Sequence, residues 1–195
     1  KITQLPVNVV TKYEFVDGDT NVNIHGGNIS DGIYGGGKGL NSQSAGSQKV
    51  WNGATQKDVT CIATEFADVA KVYGTTNVTI DPRMPDDFDT PNPGWTYDGD
   101  IYGGGALGAV EGNTNVVIKG GNITGNIFGA GEGESGHPNK AKVHGSDNTV
   151  TVNVEGGSIG KDVYGGGNLA VAEVDPTINI SGGAVTENIY GGGYG

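Results

Sequence analysis

The stretch that decides the fold is NVVIKGGNITGNIFGAG, residues 115–131. It opens with the pattern Asn-Val-x-Ile, which places apolar residues at alternate positions, as in a strand that buries one face. The double glycine that follows suits a tight corner with positive φ. Ile123 and Ile127 are four residues apart, so they share one face of an extended chain. The stretch therefore predicts three short strands separated by turns.

The same pattern recurs along the chain, with insertions between its parts. Further copies read NVNIHGGNISDGIYGGG at 21–37, TVNVEGGSIGKDVYGGG at 151–167 and TINISGGAVTENIYGGG at 177–193, and a split copy has NVTI at 77–80 and DIYGGG at 100–105. The aromatic residues from Tyr102 to Tyr190 are 26, 36 and 26 residues apart. Such a repeat is typical of a solenoid, because propeller blades ordinarily need about forty residues or more.

Stacking the repeats gives each apolar position a counterpart in the next repeat. We expect two interior ladders: Val22, Val78, Val116, Val152 and Ile178, and then Ile24, Ile80, Ile118, Val154 and Ile180. Between them an outward row of Asn23, Thr79, Val117, Asn153 and Asn179 predicts a structural side-chain ladder. The prediction is an all-β chain, a right-handed parallel β-helix of about five or six coils. It forms a single domain over 1–195, with loop insertions at 38–70 and 81–100.

The motif Asn-Val-x-Ile-x-Gly-Gly-x-Ile-x-x-x-Ile-Tyr-Gly-Gly-Gly resembles the glycine-rich repeats of large bacterial surface and adhesin-like proteins, many from gut communities. In general plan those proteins resemble β-solenoid adhesins and the pectate-lyase-like β-helix superfamily. The resemblance covers most of the chain except the two insertions. It implies a β-helix located outside the cell, secreted or on the bacterial cell surface, and it carries over no catalytic residue.

Composition argues against several classes of partner. The formal net charge is −11, and Arg83 is the single arginine. An acidic surface repels both nucleic-acid phosphates and anionic lipid headgroups, and no apolar run approaches the length of a membrane span. The one cysteine, Cys61, can form neither an internal disulfide nor a cysteine-based zinc site. Because the chain closes within a repeat, we interpret it as a fragment of a longer protein.

The repeated aromatic residue raises the first question about binding. If the aliphatic residue before it points inward, alternation turns outward the row Tyr34, Tyr102, Phe128, Tyr164 and Tyr190. An exposed row of rings is a candidate track for glycans, since aromatic faces stack on sugar rings. Alternatively the rings stack on one another and on the glycines, sealing the corner of each coil. The repetition of one residue type in every coil favours this structural reading.

The second insertion, residues 81–100, contains the other candidate binding residues. Trp95 and Tyr97 stand beside Asp98 and Asp100 on a proline-rich loop, a combination that suits a sugar or a hard cation. The alternative is a solvated loop whose aromatic side chains pack back onto the solenoid. Exposure discriminates between the two, because exposed rings favour a binding module and buried rings favour a structural stalk.

Metal and catalytic signals are weak. The alternate spacing of a calcium-binding loop is found at Asp17, Asp19 and Asn21. The acidic residue that completes such a loop is missing from the sequence. We therefore expect no cofactor, and calcium is the alternative. A polysaccharide lyase or glycoside hydrolase is the alternative function. A hydrolase needs two converging carboxylates, and Asp86 with Asp89 or Asp98 is the one candidate set. We therefore expect no catalytic residues.

These observations predict a structural or adhesive β-helical segment of a secreted or surface-anchored bacterial protein. Its expected partners are glycans or another cell-surface ligand. The solenoid also ends on an unpaired strand edge, and such edges invite pairing, so end-to-end self-association is a further expectation.

Overall fold

The computed structural model describes residues 15–42, 46–51, 56–61 and 69–195. These residues form an all-β structure, and no helix occurs among them. The strands, numbered in chain order, are β1 (Phe15–Val16), β2 (Thr20–Ile24), β3 (Ile33–Tyr34), β4 (Gly46–Trp51), β5 (Gln56–Cys61), β6 (Lys71–Val72), β7 (Thr76–Ile80), β8 (Arg83–Met84), β9 (Asp87–Pro91), β10 (Thr96–Tyr97), β11 (Ile101–Tyr102), β12 (Thr114–Ile118), β13 (Asn122–Ile123), β14 (Ile127–Phe128), β15 (Val150–Val154), β16 (Ser158–Ile159), β17 (Val163–Tyr164), β18 (Pro176–Ile180), β19 (Ala184–Val185) and β20 (Ile189–Tyr190).

Three parallel sheets contain the repeats. The long-strand sheet has the order β18-β15-β12-β7-β2, the corner sheet β10-β13-β16-β19, and the aromatic sheet β20-β17-β14-β11-β3. Within one repeat the chain passes through the three sheets in turn, for example as β12, β13 and β14, and each strand pairs with its equivalent in the next repeat. The predicted all-β architecture is confirmed, and its parallel pairing is consistent with a β-helix.

The strand register confirms the two interior ladders. Val116 pairs with Val78 on one side and Val152 on the other, and these three side chains are fully buried. The corner and aromatic sheets close the same core with Ile123 and Ile127, which are also fully buried. Each central repeat thus buries apolar side chains from all three sheets, which is the main source of stability in a stack of short strands.

A second, smaller apolar cluster forms where the chain enters each long strand. Val72, Val110, Val143 and Ala172 lie in one column linked by parallel bridges, and Val16 pairs with Val72 at its start. Val72, Val110 and Val143 are buried. This column explains the short apolar element that precedes each Asn-Val-x-Ile segment in the sequence.

The glycines allow neighbouring repeats to approach backbone to backbone. A Cβ on Gly103 would lie 2.1 Å from the carbonyl oxygen of Gly129, and a Cβ on Gly35 would lie 2.2 Å from that of Gly103. No side chain fits at such distances, so stacking requires glycine after the aromatic residue wherever another repeat follows. The predicted positive φ at the double glycine is also found, with 84° at Gly121 and 79° at Gly157.

Both insertion regions contain antiparallel hairpins. In the region 38–70, β4 pairs with β5, and in the region 81–100, β8 pairs with β9. The end of the second region returns to the repeat, because Thr96 and Tyr97 of β10 pair in register with Asn122 and Ile123. The segment that departs from the three-sheet arrangement therefore ends before Thr96, earlier than the sequence spacing suggests.

Candidate functional site

The aromatic residues of the repeats form a continuous stack, here called the aromatic column: Tyr34, Tyr102, Phe128, Tyr164 and Tyr190. Neighbouring ring centroids are 4.9–5.0 Å apart, and the planes deviate from parallel by 5–13°. The spacing equals the strand spacing of a sheet, so each ring lies directly on the ring of the adjacent repeat.

Burial decides between the two interpretations of this column. Tyr102 and Phe128 are 3 % exposed and Tyr164 is 6 % exposed, whereas Tyr190 at the end is 44 % exposed. The faces of the three central rings are covered by their neighbours, so these rings present no open face to a ligand. The burial of the column agrees with the structural alternative, in which the rings stack on one another. It gives no support to a glycan-binding track along the column.

The tyrosine hydroxyls of the column are held by carboxylates. Tyr34 Oη donates to Glu132 Oε2 at 2.7 Å, and Tyr164 Oη donates to Asp162 Oδ2 at 2.9 Å. Burial, reinforced by Asp162, raises the pKa of Tyr164 to about 12, and burial with Glu132 raises the pKa of Tyr34 well above its usual range. The hydroxyls therefore remain protonated donors at neutral pH and fix the edge of the column.

Trp95 and Tyr97 are both buried against the repeat. Trp95 is 7 % exposed and its Nε1 donates to the carbonyl oxygen of Gly27 at 2.8 Å. Tyr97 is 1 % exposed, and its hydroxyl donates to the Asp31 carbonyl oxygen at 2.7 Å. Burial raises the pKa of Tyr97 to about 12. Since Tyr97 occupies the core position that Ile123 has in the next repeat, these rings serve packing, and the sugar-binding role expected of them finds no support.

Asp98 and Asp100 make hydrogen bonds to the following repeat. Asp98 Oδ1 accepts from Thr124 Oγ1 at 2.5 Å, and Asp100 Oδ1 accepts from the Asn126 main-chain N–H at 2.6 Å and from Asn126 Nδ2 at 3.0 Å. Their carboxylates thus join two turns. In the described residues they do not converge on an open site with the buried rings of Trp95 and Tyr97.

Asp100 belongs to a ladder in which acids and amides alternate, here called the Asp–Asn ladder: Asp100, Asn126, Asp162 and Asn188. Asp162 Oδ1 accepts from the Asn188 main-chain N–H at 2.8 Å and from Asn188 Nδ2 at 3.0 Å, repeating the contacts of Asp100. The Asn188 N–H lowers the pKa of Asp162. Sequence reasoning missed this ladder, although the residue before the aliphatic–aromatic pair alternates between Asp and Asn in the last four repeats.

Asparagine side chains also form ladders on the long-strand sheet. Asn179 Nδ2 donates to Asn153 Oδ1 at 2.9 Å, which confirms the predicted polar row at this pair. A parallel row was not anticipated: Asn77 Nδ2 donates to Asn21 Oδ1 at 3.2 Å, and Asn115 Nδ2 donates to Asn77 Oδ1 at 2.9 Å. These outward polar residues connect the repeats to each other.

The residues considered for calcium and for hydrolysis are divided between strands and connections: Asn21 lies in β2 and Asp89 in β9, and the strands are connected by segments that contain Asp17, Asp19, Asp86 and Asp98. Asp19 Oδ1 accepts from the Thr75 main-chain N–H at 2.7 Å, which joins two repeats. Asp86 and Asp89 are exposed in the β8–β9 region, at whose turn Asp87 Oδ2 accepts from Thr90 Oγ1 at 2.6 Å. Over residues 15–42 and 69–195 no group of three or more His, Asp or Glu side chains has a metal-binding arrangement.

The β8–β9 hairpin carries two exposed apolar side chains. Phe88 is 63 % exposed and Met84 is 40 % exposed, and the Phe88 ring meets His25 edge-on with centroids 5.0 Å apart. Beside the hairpin lies a cleft of about 330 Å³. Its lining includes Pro82, Pro91, Pro93, Lys119, Asn122 and Ser158. This cleft is large enough for a small polar ligand, whereas the buried rings of the aromatic column leave no such space.

No protein-family model matches this chain, and neither a curated protein nor a solved structure matches it. Within the described ranges there is also no helix of the length and apolar character needed to cross a bilayer. The function proposed below therefore rests on the repeat pattern and on the geometry of these residues.

Proposed function

We propose that the chain is a segment of a right-handed parallel β-helix with a structural role in a secreted or surface-anchored bacterial protein of the adhesin-like kind. The observation that carries this proposal is the burial of the aromatic column together with Trp95 and Tyr97. The rings that were candidates for binding are instead used to hold successive repeats together. A stack of about five or six such coils is a rigid support that lengthens by adding repeats.

The handedness and the location have separate support. Parallel crossover connections are right-handed in about 98 % of cases, which favours a right-handed coil. The extracellular location is supported by the resemblance of the glycine-rich motif to bacterial surface proteins. The acidic composition, with a net charge of −11, agrees with a protein that binds neither nucleic acid nor an anionic membrane surface.

Surface labelling of cells tests the proposed location of the protein outside the cell. An antibody raised against the chain is applied to intact cells of the source organism and, in parallel, to permeabilised cells. The proposal expects equal labelling in the two samples. Labelling that appears only after permeabilisation would place the protein inside the cell and overturn the proposed location.

A second candidate function is ligand presentation by the β8–β9 hairpin. It is favoured by the exposure of Phe88 on a hairpin whose strand β9 also contributes Pro91 to the cleft, because an exposed aromatic ring can stack on a carbohydrate. The hairpin projects from the repeat as an insertion, and insertions on a repeated scaffold commonly carry binding. In this arrangement the coils support the hairpin and the hairpin makes the contact.

A glycan array tests this second function with a matched pair of variants. Phe88→Ala removes the exposed ring of the hairpin, and Phe15→Ala removes a similarly exposed ring, 58 % accessible, in β1. Specific binding that is lost in the first variant and kept in the second supports presentation by the hairpin. Absence of binding, with and without added calcium, would eliminate carbohydrate presentation and leave the structural role.

A further inference from the structure

The cleft beside the β8–β9 hairpin lies between three prolines and two double-glycine turns. Pro82, Pro91 and Pro93 line it on one side, and the turns that follow β12 and β15 line it on the other. Pro82 is buried, and a Cβ on Gly121 would lie 3.0 Å from the Pro82 Cγ and 2.8 Å from the Trp95 Cε3. Because proline has a fixed φ and no main-chain N–H, the proline wall offers ring carbons in a preformed arrangement.

The turns of the repeats supply hydrogen-bond donors to the cleft. Asn122 Oδ1 accepts from Ser158 Oγ at 2.7 Å, which leaves Asn122 Nδ2 as a donor without a partner in the described residues. The first glycine of the turn after β12 also differs from its equivalent in the next repeat. Gly156 N–H donates to the Ile118 carbonyl oxygen at 3.2 Å, whereas Gly120 N–H has no acceptor within the described part of the chain. The lining therefore contains a carboxamide and a main-chain N–H that can both donate to a ligand.

The charge of the cleft is opposite to that of the whole chain. Lys119 is the basic residue of the lining, and it makes no ion pair with any residue that the structure describes. Glu155, at the equivalent position of the next repeat, lies outside the lining. Asp81, the acid of the lining, is paired with Arg83 through Oδ2 and Nη2 at 2.5 Å. The cleft thus has a positive charge that no acid neutralises, on a chain with a net charge of −11, and it favours an anionic group.

We propose that this cleft binds a sugar that carries a carboxylate, and that Lys119 Nζ pairs with the carboxylate. Asn122 Nδ2 and Gly120 N–H donate to oxygen atoms of the sugar, and the proline rings contact its carbon–hydrogen face. The volume of about 330 Å³ is at the lower end of the range for ligand clefts, which suits a single sugar unit. The inference rests on the second candidate function, carbohydrate binding at the hairpin, and narrows it to acidic sugars.

Titration of the isotope-labelled chain, followed by NMR, tests the proposal. The acidic probes are methyl glucuronide and N-acetylneuraminate, methyl glucoside is the neutral counterpart of the first, and acetate supplies a carboxylate without a sugar. The main-chain amide signals of Gly120, Gly121 and Ser158 are expected to shift with at least one acidic sugar. Its Kd is expected to be at least about three-fold lower than those of the glucoside and of acetate, the scale of one exposed ion pair. The acid that binds more tightly shows which of the two kinds of acidic sugar the cleft prefers.

A matched pair of variants tests the role of the lysine. Lys119→Gln is expected to remove the preference for the acidic sugar and to leave the affinity for the glucoside unchanged. Lys161→Gln makes the same change of charge at an exposed lysine outside the lining, and it is expected to bind like the wild type. NMR signals that stay unchanged away from each substitution establish that both variants are folded.

The outcomes separate this proposal from the function on which it rests. Equal affinities for the glucuronide, the neuraminate and the glucoside would overturn the acidic specificity and leave carbohydrate binding at the hairpin standing. An acid preference that survives Lys119→Gln, or that Lys161→Gln also removes, would overturn the role of Lys119. Acetate binding as tight as that of the acidic sugars, or no shift at the cleft with either acid, would overturn the site itself. The glycan array with Phe88→Ala then decides separately whether the hairpin presents a carbohydrate-binding surface.

Discussion

At the scale of single residues, the close contact between repeats makes equivalent glycines differ in the space that they leave for a side chain. Gly103 and Gly191 each follow the aromatic residue of their repeat, so they occupy equivalent positions in the sequence. A Cβ on Gly103 would overlap the Gly129 carbonyl oxygen, whereas a Cβ on Gly191 meets nothing within 4 Å. The requirement for glycine thus comes from the next repeat rather than from the conformation of the residue itself.

This difference predicts opposite outcomes for two identical substitutions. Gly103→Ala is expected to lower the free energy of unfolding by at least about 1–3 kcal/mol, because the backbone must move to admit the methyl group. Gly191→Ala is expected to be neutral or to stabilise by up to about 1 kcal/mol through the unfolded state. Urea denaturation measures both. Equal losses in the two variants would contradict the role assigned to stacking.

The Asp–Asn ladder places a carboxylate between two amide-bearing residues. Because hydrogen bonds from Asn188 lower the folded-state pKa of Asp162, this carboxylate stabilises the fold at pH values above its unfolded pKa. The contribution is lost as the pH falls through the folded pKa. Alternation with asparagine also keeps carboxylates two repeats apart, which reduces their repulsion.

Acid titration of stability tests this contribution. The melting temperature of the wild type is expected to fall as the pH decreases below about 4, and Asp162→Asn is expected to fall less steeply, since its amide does not titrate there. Asp89→Asn is the control, because Asp89 lies exposed in the β8–β9 hairpin and should leave the slope unchanged. Parallel curves for the wild type and Asp162→Asn would refute the assignment.

At the scale of strands, the sequence pattern predicts the sheets well and the aromatic side less well. The period-two alternation in β12 and its copies determines which residues face inward, and repetition determines the register, so both ladders are found as predicted. Alternation alone places Tyr102 outward, but it cannot say that the neighbouring repeats approach closely enough to cover the ring. That depends on the glycines of three repeats acting together.

Tyr97 shows why the second candidate site was harder to predict. The β8–β9 hairpin separates it from the rest of its repeat, and its flanking acids make the segment read as a polar loop. Only the pairing with Ile123 reveals it as a core residue. The Asp–Asn ladder, in contrast, was visible in the sequence as an alternation and needed only the register to be interpreted.

The aromatic column makes a prediction about cooperativity between repeats. Phe128 is covered on both faces, whereas Tyr190 stacks on Tyr164 with one face and is 44 % exposed. Phe128→Ala is expected to cost about 3–5 kcal/mol, the usual range for a buried phenylalanine, and Tyr190→Ala is expected to cost clearly less. Thermal unfolding of the two variants measures the difference. A similar cost at both positions would contradict the stabilisation assigned to coverage by both neighbouring rings.

At the scale of the whole molecule, the repeats are stabilised by their neighbours. A central repeat such as the one containing β12 has partners on two sides, whereas β18 and β20 have a partner on one side only. In a linear array of this kind, stability is approximately the sum of repeat and interface contributions. The last repeat therefore lacks one interface contribution, and it is expected to open more readily than the central ones.

Hydrogen exchange, followed residue by residue at low protein concentration, measures this gradient. The amides of Val116 and Val152 are expected to exchange only on global unfolding, because their strands are paired on both sides and their side chains are fully buried. The amides of Ile189 and Gly191 are expected to exchange faster by local opening of the last repeat. Uniform protection along the chain would contradict the additive description.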